Sequence, residues 1–159
     1  SESVRLMYLL SISCARSKIL LANSYFLPDD LVTETLVQAA KRGVEIEIIV
    51  PGRKIDQGIV RMASRGRWGK LLEAGIKIYE YRPTMYHCKV MIVDSIWVSV
   101  GSTNFDNRSF QLNDEANLNV YDTELARRET EFFIRDRENS KQITLAAWKK
   151  RPVRERTYE

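Results

Sequence analysis

Val44-Glu45-Ile46-Glu47-Ile48-Ile49-Val50 begins in strict alternation and ends fully apolar, the pattern of a strand entering a core. Pro51-Gly52 ends it. Upstream, Lys18-Ile-Leu-Leu-Ala-Asn-Ser-Tyr-Phe26 reads as a second buried strand. Between them Asp29 and Asp30 are N-cap candidates for a helix through Leu31, Leu36 and Ala39–Ala40, with Gly43 placed to close it. Strand, helix, strand in this order is a βαβ unit, which implies a parallel pair joined by a right-handed crossover. The expected fold class is therefore α/β, a mixed, largely β-sheet core flanked by helices.

The rest of the chain extends this unit in both directions. Val4, Met7, Tyr8, Leu10 and Ile12 recur at helical spacing and predict an opening helix to about Arg16. After a loop containing Asp56, a helical region is expected from about Gln57 to Glu73, interrupted near Gly66 and stopped at Gly75. Ile76–Glu80 is a further strand. His87–Val93 and Ile96–Val100 read as two short strands joined by a tight turn at Asp94-Ser95. A Gly/Ser/Asn-rich loop runs from Gly101 to Asn113, and a strand follows near Ala116–Val120. Thr123 to about Glu138 is a charged helix with Leu125, Phe132 and Phe133 expected to face inward. A second helix covers about Ile143 to Lys150, and the tail from Arg151 is polar.

Composition narrows the class. The 159 residues suit one domain, and 44% hydrophobic with 29% charged content excludes a disordered chain. A net charge of +4 fits an anionic substrate or membrane surface, although plain soluble domains share it. Cys14 and Cys88 lack CxxC spacing, which argues against a zinc site or disulfide framework and for a reducing compartment. No apolar run reaches the roughly 18 residues of a membrane span. The chain opens Ser1-Glu2-Ser3 without Met and reads as a piece of a longer protein.

The chemistry concentrates in His87-Cys-Lys-Val-Met-Ile-Val-Asp94, six residues, then Gly101-Ser102-Thr103-Asn104. Side chains alternate along a strand, so His87 and Lys89 should point the same way. An imidazole can attack phosphorus while an adjacent ammonium neutralises the phosphate. Ser102 and Asn104 add a hydroxyl and an amide for phosphate oxygens or for orienting the ring, and Gly101 would let the backbone approach a ligand. No metal or other cofactor is needed for such a displacement. Asp94 stands as a catalytic candidate with His87 and Lys89, and fits equally a turn former before Ser95.

This pattern resembles the phospholipase D superfamily, whose motif is His-x-Lys-x4-Asp-x6-Gly-Ser followed shortly by Asn. The resemblance implies a carboxylate, here Glu115, that hydrogen-bonds the second nitrogen of the histidine; an edge-strand or capping charge is the plainer reading. It also implies loop-bracing or carboxylate-pairing for Arg108, beside Ser109. Family enzymes join two such motifs, and with one histidine in the chain the complete site requires a second phospholipase D-like domain, in cis or as a homodimer. Asp94 in the family has a structural or charge-balancing part.

Ala22-Asn-Ser-Tyr-Phe-Leu-Pro-Asp29, Leu71-Leu-Glu-Ala-Gly75 and Gly101-Ser-Thr-Asn-Phe-Asp-Asn-Arg-Ser109 are similar to the C-terminal half of bacterial cardiolipin synthases. That similarity implies transfer of a phosphatidyl group from phosphatidylglycerol through a phosphohistidine. It also implies a parent protein on the cytoplasmic face of the bacterial inner membrane, with this stretch itself soluble. Two other classes compete. A homodimeric nuclease of the same superfamily would show a basic stripe with an interleaved aromatic, for which Arg53, Lys54, Arg61, Arg65, Arg67 and Lys70 with Trp68 are the candidates. A non-catalytic half would merely dock on an active partner.

Overall fold

Side chains from alternate positions of two parallel strands divide the molecule into its layers. The computed structural model describes residues 2–54, 63–106, 109–110 and 114–151. Helix α1 (Glu2–Cys14) leads into β1 (Lys18–Asn23), then α2 (Asp30–Lys41) and β2 (Glu45–Pro51). The Asp29 carboxylate caps α2 by accepting from Val32 N at 2.8 Å, and Gly43 leaves the helix at φ +93°. β1 and β2 pair in parallel, Ile19 opposite Ile46 and Leu21 opposite Ile48, as the βαβ reading requires.

The order continues with α3 (Gly69–Glu73), β3 (Lys77–Tyr81), β4 (Lys89–Val93), β5 (Trp97–Gly101), β6 (Asn117–Tyr121), α4 (Thr123–Glu138), β7 (Ser140–Ile143) and α5 (Leu145–Lys149). The sheet runs β6-β5-β4-β1-β2-β3-β7. β1, β2 and β3 are parallel neighbours; the remaining pairs are antiparallel, so the sheet is mixed. Ile19, Leu21, Ile46, Ile48 and Met91 pack with Tyr8, Ile12, Leu36, Leu71 and Trp148 on one face, under α1, α2, α3 and α5. Leu20, Ala22, Ile49, Ile92 and Val98 pack on the other face against Ala126 and Phe133 of α4. Glu47 is buried on that second face, where Arg137 of α4 grips it at 2.8 and 3.1 Å. A carboxylate there ties helix to sheet because its cation comes with the helix.

Two expectations need correction. Ser140–Ile143 is a strand, β7, completing the sheet beside β3, so the last helix begins only at Leu145. Phe132 is 54% exposed with the Arg135 guanidinium over its ring, while Phe133 is 4% exposed and takes the core position alone. The helical region placed at Gln57 to Glu73 is helical at 63–66 and 69–73; its first residues and Asp56 lie outside the described residues.

Candidate active site

Because β4 runs antiparallel to β1, its first residue, Lys89, lies opposite Asn23, the last residue of β1. The segment entering β4 and the segment leaving β1 therefore meet at one end of the sheet. Ser24 N donates to Cys88 O at 2.9 Å and continues the ladder past both strands. His87 sits just outside β4, exposed, and keeps the two-residue side-chain phase with Lys89. Lys89 Nζ lies 3.1 Å from His87 Nδ1 and 3.2 Å from Nε2. An ammonium only donates, so a ring nitrogen hydrogen-bonded to it presents a lone pair. The Tyr25 ring stands near perpendicular to the imidazole, 6.2 Å between ring centroids.

Lys89 is 8% exposed, and its Nζ donates to Ser24 Oγ at 2.7 Å. Ser24 Oγ donates onward to Asn104 Oδ1 at 2.9 Å. His87, Lys89 and Asn104 are thus joined through a serine 65 residues from the lysine, in the stretch whose apolar run predicts only a buried strand. The signal for Ser24 was faint: its place at the end of β1, where a strand terminus opens toward ligand in α/β sheets. Asn23 holds the loop carrying Asn104. Its Oδ1 accepts from Phe105 N at 3.2 Å and its Nδ2 donates to Thr103 O at 3.4 Å, gripping both neighbours of Asn104.

A second group lies beside this one. Ser102 Oγ donates to Glu115 Oε2 at 2.5 Å and accepts from Ala116 N at 3.1 Å. Glu115 is therefore brought to Ser102, while the partner shown at the His87 ring is Lys89. Asn117 braces the same loop: its Oδ1 accepts from Thr103 Oγ1 at 2.7 Å, and its Nδ2 donates to the Tyr8 hydroxyl at 2.6 Å and to Ser99 Oγ at 2.9 Å. Burial pushes the Tyr8 phenol up despite the bonds to Ser99 and Asn117, so it stays protonated. Gly101 answers to packing within the protein: a Cβ there would stand 2.2 Å from Ala116 O and 2.4 Å from Asn117 Oδ1. The constraint on this side is the start of β6 and the residue before it. Arg108 lies outside the described residues.

Asp94 is not part of this cluster. It follows β4 at the opposite end from His87, roughly 20 Å away along an extended chain. Asp94 and Ser95 both have positive φ, 52° and 56°, as a primed hairpin turn demands. The carboxylate accepts from Arg16 N at 2.9 Å, Ser17 N at 2.8 Å, Lys18 N at 2.9 Å and Ser17 Oγ at 2.9 Å. Burial alone would raise its pKa, but those donors together hold it below the usual aspartate value. The turn-former alternative fits this geometry, and the bonds add a latch on the start of β1.

The basic stripe is broken up. Trp68 is 1% exposed, and the Arg65 guanidinium lies over its ring while pairing with Glu80 at 2.6 Å. Lys54 Nζ donates to Pro83 O, Arg67 stands 3.9 Å from Asp30, and Arg61 lies outside the described residues. Trp68 presents no face for a base to stack on. Both cysteines are free thiols. Among the described residues no helix is long and apolar enough to cross a membrane.

Set beside known proteins, residues 8–137 match the family described as "Cardiolipin synthase, PLD-like domain". Cardiolipin synthase 2 of Bacillus anthracis is 40% identical over 158 residues, 99% of this chain and 30% of that protein. The cardiolipin synthase of Alkalihalophilus pseudofirmus is also 40% identical, over 93% of this chain and 29% of its own length. The chain thus spans about 30% of the length of these relatives. Among solved structures, the phospholipase D family member Nuc from Salmonella typhimurium superposes with a TM-score of 0.76 at 25% identity, covering 88% of this chain and 90% of that one. A phosphatidylserine synthase from Haemophilus influenzae shares the fold, with a TM-score of 0.75 at 16% identity over 97% of this chain and 41% of its own.

Proposed function

The chain belongs to the cardiolipin synthase, PLD-like domain family, and from that premise we propose that it forms half of a phosphatidyltransferase site working through a phosphohistidine. The observation that carries the proposal is the buried Lys89 ammonium, held beside the exposed His87 imidazole and linked through Ser24 to Asn104. In the reaction, a ring nitrogen forms the P–N bond as the P–O bond to the first alcohol breaks. The leaving oxygen takes a proton from an acid. The acceptor hydroxyl then gives its proton to a base and attacks phosphorus, releasing the imidazole. Lys89 and the Asn104 amide stabilise charge on the phosphoryl oxygens throughout.

One imidazole cannot be both the atom bonded to phosphorus and the group handing a proton to the leaving oxygen. With a single histidine in the chain, the second comes from another phospholipase D-like domain, in the same protein or in a second copy. In this reading the chain is the C-terminal half of a two-motif protein, acting on a phosphatidylglycerol-like anionic lipid at a membrane. Ser102 and Glu115 are assigned to the same pocket as donor and orienting carboxylate. The other readings are a phospholipase D-type nuclease and a docking half. The loss of Trp68 as a stacking platform weakens the first, and the preserved cluster weakens the second.

The test incubates the protein, paired with its second domain, with head-group-labelled phosphatidylglycerol and separately with DNA. Release of labelled glycerol with the phosphatidyl group retained on a histidine is expected. Cleavage of DNA alone removes the lipid reading, and turnover unchanged in His87→Ala leaves only the docking role.

A further inference from the structure

Ser24 is 3% exposed and stands between two groups that its hydroxyl must treat differently. Toward Lys89 Nζ, 2.7 Å away, the oxygen accepts, because an ammonium has no lone pair to offer. The hydroxyl's single proton then goes to the acceptor on its other side, Asn104 Oδ1 at 2.9 Å. That assignment fixes the amide: Oδ1 faces Ser24, so the Nδ2 group, with two donors, faces away from it. The backbone around Asn104 is held independently by Asn23, which binds Thr103 O and Phe105 N. With the backbone on both sides held, the bond from Ser24 Oγ sets which way the carboxamide plane is turned.

We propose that Ser24 is a positioning residue of the phosphate site, holding the Lys89 ammonium beside His87 and turning the Asn104 Nδ2–H donors toward the bound phosphate. The inference rests on reading the pocket as a phosphate site and adds the residue that orders it. Its backbone N–H to Cys88 O, 2.9 Å, fixes Ser24 against the segment bearing His87, so hydroxyl and imidazole keep register. A serine suits this place better than alanine or valine because it reverses hydrogen-bond polarity across one atom, from donor-only lysine to acceptor oxygen.

The test uses inorganic phosphate as the probe and two unambiguous reporters: the ring resonances of the single histidine and the side-chain NH2 pair of Asn104. Phosphate should shift both in the wild type. Ser24→Ala should weaken phosphate binding about tenfold, a difference of about 1.4 kcal/mol, and abolish the Asn104 NH2 response. Ser24→Thr should restore both. A purely structural serine would change the unfolding midpoint and leave the NH2 response intact. Asn104→Asp supplies a second arm that leaves Ser24 untouched: it keeps an acceptor for the hydroxyl but removes the donors, so phosphate binding should vanish. Wild-type behaviour in Ser24→Ala, or retained binding in Asn104→Asp, overturns the inference while the phosphate site stands. No phosphate response at His87 in the wild type overturns the site reading and this inference with it.

Discussion

At the entrance of β4 a buried ammonium meets an exposed imidazole, whereas at its exit the Asp94 carboxylate is enclosed by three backbone N–H groups and a hydroxyl. One motif, His87-x-Lys89-x4-Asp94, supplies both ends. At the exit the charge is matched by donors belonging to the fold itself, the start of β1. At the entrance Lys89 Nζ donates to the Ser24 hydroxyl and lies beside a ring nitrogen of His87. On the proposed reading, the fixed spacing joins an end that serves chemistry to an end that serves folding, with the strand as a rigid spacer.

The sharpest way to break this contrast is to delete each end and read both activity and stability. His87→Ala should cost at least about a thousandfold in turnover of the complete enzyme, the scale of losing a nucleophile or acid-base group. Its unfolding free energy should stay within about 0.5 kcal/mol of wild type, since the side chain is exposed. Asp94→Ala should invert the pattern. Leaving the N–H groups of Arg16, Ser17 and Lys18 without their acceptor should cost about 2 kcal/mol in urea unfolding at neutral pH. Turnover per folded molecule should change little. Equal losses of turnover in the two variants would end the division.

The exit should also show a pH signature. The Asp94 pKa is lowered in the folded state, so its contribution is fully present above the ordinary aspartate pKa of about 4 and is lost as pH falls through the folded value. The stability gap between wild type and Asp94→Asn should therefore be constant from neutral pH to about 5 and close below about 4. A gap that widens on acidification would reverse the sign and refute the latch.

How much of this was readable beforehand follows from where each signal resides. The βαβ unit was legible because Val44–Val50 and Lys18–Phe26 carry apolar runs that water rejects wherever they lie. α4 was legible to the residue at both ends, with the Asp122 side chain capping Leu125 N at 2.7 Å. β7 was not, because Ser140-Lys-Gln-Ile143 offers one buried apolar side chain and is a strand only through its backbone pairing with β3. Phe132 and Phe133 are adjacent and equally apolar, so composition could not say which one the helix would turn outward. In the site, His87, Lys89 and Asn104 stood out by spacing. Ser24 did not, since its role exists only once β1 and β4 lie side by side and a residue 65 positions away arrives at 2.7 Å.

The smallest effect sharpens the entrance by asking which neighbours of His87 are chemistry and which are support. Tyr86 donates its hydroxyl to Asp136 Oδ2 at 3.0 Å and packs on Tyr81 with ring centroids 4.6 Å apart, tying the segment before the histidine to α4. Removing that hydroxyl in Tyr86→Phe should cost about 1 kcal/mol of stability, with a rise in KM that exceeds any fall in kcat if the ring is merely less well held. Cys88 sits between His87 and Lys89 yet projects to the other face of the sheet, among the side chains under α4. Burial pushes its thiol up, so at neutral pH the sulfur is protonated and a poor nucleophile. Cys88→Ala should accordingly leave kcat within about twofold and lose no more than about 1 kcal/mol of packing. The phosphatidyl group should still be recovered on histidine. A phosphatidyl adduct on the Cys88 sulfur through an S–P bond, or a loss of turnover comparable with His87→Ala, would mean that the nucleophile had been assigned one residue away from its true position.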